Sequence, residues 1–400
     1  METINISENT ELAFEEGANF YGPSILDGYG WQLMLENTKL EYTYYNIDFK
    51  FDGKMENSSV NNDASYPDKA ELTALINNFV QSRHIRSYQS MTAPPVLSID
   101  TQHEDMIHDA QLDYYGKRLA TCSSDRTIKI YDVTGQVQHN EQILAGHQSP
   151  VWQVAWAHPK FGALLASCAY DGKVILFREQ SLNQWVQIYV SSFHHSSVNA
   201  IAWAPHEYGL VLACASADGT ISILSYAAEV WTVSSFKDGS LGCNALSWAP
   251  FHSVGSTHQE TGRSIRRLVT GSCDKAVKIW SLIDGETEWK KEDLAAAHSD
   301  WVRDVAWAPS TGAPNNLIAS CSEDKTVYIW TQNEANASWK KELLHSFDAA
   351  VWRVSWSVTG NVLAVSSGDH KVTLWKETLD KKWIQISAVD EAGAMQTAIE

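Results

Sequence analysis

The 400-residue chain has no run of eighteen apolar residues, so no membrane-spanning helix is expected. Its first thirty residues lack the basic start and apolar centre of a secretory leader, and none is expected. Positive charge is scarce: 30 Lys and Arg stand against 48 Asp and Glu, a formal net charge of -18. So acidic a chain has little attraction for phosphate backbones or anionic lipid, and direct binding of nucleic acid is not expected. The six cysteines, Cys122, Cys168, Cys214, Cys243, Cys273 and Cys321, show no CxxC spacing, which argues against zinc. Most sit at like places in Ala/Ser-rich strands, as free buried thiols of a reducing compartment do. Nucleophile elbow, P-loop, HExxH and Rossmann glycine patterns are all missing. No catalytic residue, cofactor or metal is expected.

What the chain has in quantity is tryptophan, 17 in all, and most of it lies in copied segments. One unit recurs six times: CSSDRTIKIY, CAYDGKVILF, ASADGTISIL, GSCDKAVKIW, CSEDKTVYIW and SSGDHKVTLW. Its aspartates are Asp125, Asp171, Asp218, Asp274, Asp324 and Asp369. Six residues after each comes a large apolar residue: Tyr131, Phe177, Leu224, Trp280, Trp330 and Trp375. A period near ~45 residues with four short strands per unit marks a β-propeller of WD-type repeats. The Asp makes the turn between two strands by bonding to nearby backbone.

A second copied segment leads five of the six units: SPVWQVAWAHP, SSVNAIAWAP, GCNALSWAP, HSDWVRDVAWAP and AAVWRVSWS. Period-two alternation puts Val151, Gln153, Ala155 and Ala157 on one face and Trp152, Val154 and Trp156 on the other. By the same rule Trp301 and Trp307 share a face, with Arg303 and Val305 between them. Such aromatics suit blade-to-blade packing. Asp300, Arg303 and Asp304 are expected as a rim ion pair or a partner contact. His147, the pair His194-His195 and His298 precede the repeat strands, as structural hydrogen-bonding groups. His103, Glu104, Asp105, His108 and Asp109 resemble a metal set, but alternation splits them between faces.

The segments HEDMIHDAQLDYYGKRLATCSSDRTIKIYDV, GHQSPVWQVAWAHPKFG, WAPHEYG, HSDWVRDVAWAP and VTLWKE are similar to the Sec-thirteen family over about residues 91–388. The insertion at 251–266 also falls where that family has one. The resemblance implies an all-β, open six-bladed WD-repeat propeller whose gap takes a further blade. It implies a non-enzymatic scaffold of the COPII vesicle coat, in ER-to-Golgi transport, and of the nuclear pore Y-complex. The implied partners are the large COPII outer-coat subunit and an α-solenoid nucleoporin of the Y-complex. The implied location is cytoplasmic, at the ER membrane periphery and the nuclear pore, touching membrane only through the coat. The family also occurs in the TORC-regulating vacuolar or lysosomal complex. The alternative is a generic WD adaptor that recognises a peptide on a self-closed ring.

Six units can close as a ring or stay open, and an open ring leaves two sheet faces bare unless something fills the gap. Position in the repeat places Met106, Ile107, Ala110 and Leu112 of the first blade there. It also places Val351, Trp352, Val354, Trp356, Val372 and Leu374 of the last. Residues 1–90 do not match the family. They hold three strand-like runs, WQLMLE, KLEYTYYN and IDFKFDGKM, within 31–55, and the apolar periodicity of a helix over 68–88. This extension reads as a seventh blade in cis, a partner-derived piece or a tail. Residues 389–400 read as a tail.

Overall fold

The repeat aspartate builds each hairpin. Its carboxylate accepts the backbone N–H two residues on: Thr127 at 2.8 Å, Lys173 at 3.0 Å, Thr220 at 2.7 Å, Ala276 at 3.1 Å and Thr326 at 3.0 Å. The residue between is left-handed in all six copies: Arg126, Gly172, Gly219, Lys275, Lys325 and His370, with φ from 62° to 75°. At Gly219 a Cβ would lie 2.4 Å from the Gly239 carbonyl oxygen, so only glycine fits there.

These hairpins assemble into a β-propeller of six antiparallel sheets. The computed structural model describes residues 18–21, 48–51, 99, 101–133, 139–295, 298–310, 315–378, 380–389 and 395–397. The inner strands of blades 1 to 6 are Ile107–Leu112, Val151–Trp156, Val198–Trp203, Cys243–Trp248, Val302–Trp307 and Val351–Trp356. Each adjoins the next, from blade 1 to blade 6. Blades 1 to 5 have four strands; blade 6 has five, because Met395–Thr397 pairs with Trp383–Val389. Part of the stretch expected as a tail is thus strand.

Strict alternation fails in the inner strands, for a definite reason. Each carries a β-bulge after its first residue, as between Val151 and Gln153. The extra residue turns the first and fourth positions the same way. Val151 and Val154 are therefore both buried, against the preceding blade. Trp301 and Trp307 do not share a face either: Trp301 precedes its strand and is exposed, whereas Trp307 is buried.

Past the bulge, period two holds. Ile175 and Phe177 pack towards blade 1, Val174 and Leu176 towards blade 3. Blades 2 and 3 are apolar on both faces because both faces are covered.

The chain divides between Pro95 and Val96 into two units. In the first, Ala18–Tyr21 pairs antiparallel with Asp48–Phe51. The latter belongs to the expected run IDFKFDGKM. The other two runs and the helix over 68–88 lie outside the described residues.

Candidate partner-docking seam

Two hydrogen bonds recur between successive blades, the first at four of the five internal seams and the second at three. The indole N–H of the last inner-strand residue donates to a carbonyl of the preceding blade. Trp156 reaches Gln111, Trp203 reaches Ala155, Trp248 reaches Ala202 and Trp356 reaches Ala306, each at 3.0 Å. The third-position side chain accepts the fourth-position N–H of the next blade: Asp109 from Val154 at 3.3 Å, Gln153 from Ile201 at 2.7 Å, Asp304 from Val354 at 3.0 Å. Between blades 4 and 5 the Ser247 hydroxyl instead accepts the Trp307 main-chain N–H at 3.0 Å.

Among the described residues neither device joins blade 6 to blade 1. Blade 1 ends its inner strand in Leu112, where the other five have tryptophan. Blade 6 carries Arg353 at its third position, a group with donors and no acceptor. Burial follows. In blade 2, Ala166, Cys168, Val174 and Leu176 are at most 1% exposed. Their counterparts in blade 6 are Ala364, Ser366, Val372 and Leu374: Val372 is 40% exposed and the others are half-buried. The opposite face of blade 6, with Leu363, Val365 and Trp375, is closed against blade 5. On blade 1, Ile107 and Ala110 are exposed, whereas Val151 and Val154 in blade 2 are buried.

The residues placed at the gap from sequence therefore separate. Met106, Ile107, Ala110 and Leu112 are exposed on blade 1, and Val372 with Leu374 lies on the uncovered face of blade 6. Trp352 is exposed but stacks over Arg303 of blade 5. Val351, Val354 and Trp356 are a correction. The bulge turns Val351 and Val354 into the core shared with blade 5, and Trp356 is bonded to Ala306. Ala364 and Ser366 were missed; their signal was equivalence to Ala166 and Cys168.

Among the described residues, Arg353 reaches Asp109 across the seam at 3.8 Å. Buried Asp304 lies beside the same guanidinium. Burial pushes its carboxyl up to about 6, although Arg353 and the Val354 and Val305 N–H groups oppose the rise. Burial raises Asp109 as well. A carboxyl with a raised folded value favours folding most when it is protonated in both states. Its contribution is full below its unfolded value near ~4 and is lost as pH rises through about 6. Relative to Asp304→Asn, the parent chain should gain about 2–3 kcal/mol between pH 7 and pH 4. Thermal melts of both proteins across that range check it; parallel profiles would contradict it.

The repeat histidines serve structure. His147 bonds Asp171 at 3.2 Å and Ser167 at 2.8 Å; His298 bonds Asp324 at 3.2 Å and Ser320 at 2.9 Å. Trp330 donates to the same Ser320. In blade 4, Asp238 takes the histidine's place, accepting from Thr270, Ser272, Lys278 and Trp280. Blade 6 has Phe347 there, and Asp369 is held by Ser367 instead. The first-blade polar cluster disperses: His103 bonds Asp125 and Thr121, while His108 bonds Ser124. Among the described residues no three His, Cys, Asp or Glu converge as a metal set. Asp300, Arg303 and Asp304 form no ion pair with one another. Arg303 pairs with Glu323 between the rings of Trp301 and Trp352, Asp300 bonds the Trp301 N–H, and Asp304 points inward.

The model of the WD domain, G-beta repeat, matches residues 95–132, 138–178, 185–225, 229–281, 292–331 and 341–376. The protein SEC13 homolog of Homo sapiens is 53% identical over 301 residues, covering 74% of this chain and 93% of the relative. That of Drosophila melanogaster is 50% identical over 299 residues, covering 72% and 82%. Protein transport protein SEC13 of Coccidioides immitis is 49% identical over 296 residues, covering 72% and 97%.

Proposed function

The chain belongs to the SEC13 family of WD-repeat proteins, and we propose that it acts in protein transport as a non-enzymatic scaffold subunit whose open propeller takes a blade from a partner. Its place is the outer shell of the COPII coat, in the cytoplasm at the ER membrane, and the Y-complex of the nuclear pore. Its partners are the large coat subunit and an α-solenoid nucleoporin. The mechanism is geometric: a rigid propeller fixed to an elongated helical chain stiffens a curved cage.

One observation carries this reading. The blade faces that are buried elsewhere stand uncovered at Val372 and Leu374 on one side and Ile107 and Ala110 on the other. Soluble proteins seldom leave two such faces bare, and donated strands are a recurrent way to cover them. A ring that closed on itself would bury them, which disfavours the peptide-adaptor reading.

A chain trimmed to residues 91–400 should self-associate when alone and form a monodisperse complex with the large coat subunit. Size-exclusion chromatography with light scattering reads both states. A trimmed chain that stays monomeric alone and ignores that subunit would contradict the proposal.

A further inference from the structure

We propose that the seam is selective, and that the donated inner strand carries a branched aliphatic residue, an acceptor side chain two residues on, a second aliphatic immediately after it, and a tryptophan two beyond that. The inference rests on the blade-acceptance reading and adds which strand is accepted. All five internal seams show the tryptophan and the position-four aliphatic, four show valine at position one, and three show the acceptor.

First, the aliphatic pair. Position one of blades 2 to 6 is Val151, Val198, Cys243, Val302 and Val351, each 0% exposed. Position four is Val154, Ile201, Leu246, Val305 and Val354, none above 7%. Both sit against small residues of the preceding blade; a Cβ on Gly271 would come within 2.6 Å of Val302. Blade 6 offers an equivalent floor in Ala364 and Ser366, walled by Val372 and Leu374.

Second, the tryptophan. It ends every inner strand from blade 2 to blade 6. Blade 6 has Ser355 at the position of Ser247, whose hydroxyl accepts the main-chain N–H of Trp307. The same bond from the incoming strand's last residue seats its indole against blade 6.

Third, the acceptor. On the far side Ala110 occupies the place of Val154, whose N–H is held by Asp109, and of Val354, held by Asp304. An Asp, Asn or Gln at the incoming third position supplies that bond.

The extension does not meet this rule. Its one tryptophan, Trp31, follows LDGYG, with glycine at two of the five places before it. The donor is therefore a strand of another chain.

Calorimetry tests the rule with the full chain and a synthetic peptide of residues 298–332. That peptide carries the pattern as Val302, Asp304, Val305 and Trp307. The intact peptide should bind. Trp307→Ala in the peptide should weaken binding by about 30-fold, and Val372→Asp in the full chain should remove it. Binding that Val372→Asp removes but that ignores Trp307→Ala and Asp304→Ala in the peptide overturns the rule and leaves blade acceptance standing. Absence of any binding that depends on Val372 overturns both.

Discussion

Val372→Asp should cost at least about 100-fold in affinity for the large coat subunit while leaving the melting temperature of the free chain nearly unchanged. The two halves of that result have separate causes. Val372 is 40% exposed, so a carboxylate there stays hydrated in the free propeller. Surface changes of this kind usually shift stability by less than about 0.5 kcal/mol. Once a blade covers the face, the same carboxylate is buried without a partner. Leaving a charge in an interface core costs several kcal/mol, enough for the stated loss. Ile107→Asp, on the opposing wall, should behave alike. Pull-down of the coat subunit together with thermal melts of the free variants checks both halves. Retained affinity in both variants would mean that the partner docks elsewhere.

The second large effect is on stability, and it separates a fully buried tryptophan from a half-exposed one. Trp330 is fully buried, with its indole on Ser320, which also holds His298. Trp330→Ala opens a large cavity and breaks that network, and should cost about 3–5 kcal/mol. Trp352 is 45% exposed, with one face over Arg303. Trp352→Ala should cost less than about 1 kcal/mol. Chemical denaturation of the two variants reads the contrast. Equal losses would show that the inter-blade cores do not carry stability as described.

The repeat was legible because its signals are local. An aspartate that closes a turn and a large apolar residue six places on need no tertiary knowledge. The count of six units was legible in the same way, whereas the open ring came from the family resemblance. Orientation within the inner strand was not legible. One bulge residue reverses which side chains face the neighbouring blade, and nothing in VWRVSW announces it. Val351 and Val354 were assigned to the gap for that reason, while Ala364 and Ser366 escaped notice as small residues in an ordinary strand. The charges misled similarly. Arg303 and Asp304 are adjacent in sequence, yet one lies between two indoles and the other faces a guanidinium in the interior. The replacement of a repeat histidine by Asp238 was equally hidden, because its partners Thr270, Ser272, Lys278 and Trp280 lie more than thirty residues away.

The absence of Trp at Leu112 and the presence of Arg at position 353 were readable in principle. Leu112 stands where the five other copies keep tryptophan, and Arg353 is a cation at a position that is otherwise Asp, Gln or Ala. They gained meaning once the tryptophans were seen to donate across seams. A repeat protein thus records its own discontinuity in the residues that fail to match.

The most direct test is a structure of the full chain bound to the large coat subunit. The account predicts a sheet from the partner between the blade-6 face at Val372 and Leu374 and the blade-1 strand at Ile107 and Ala110. Blades 6 and 1 packed directly against each other, with the partner bound elsewhere, would contradict it, as would residues 31–55 of the same chain filling that seam.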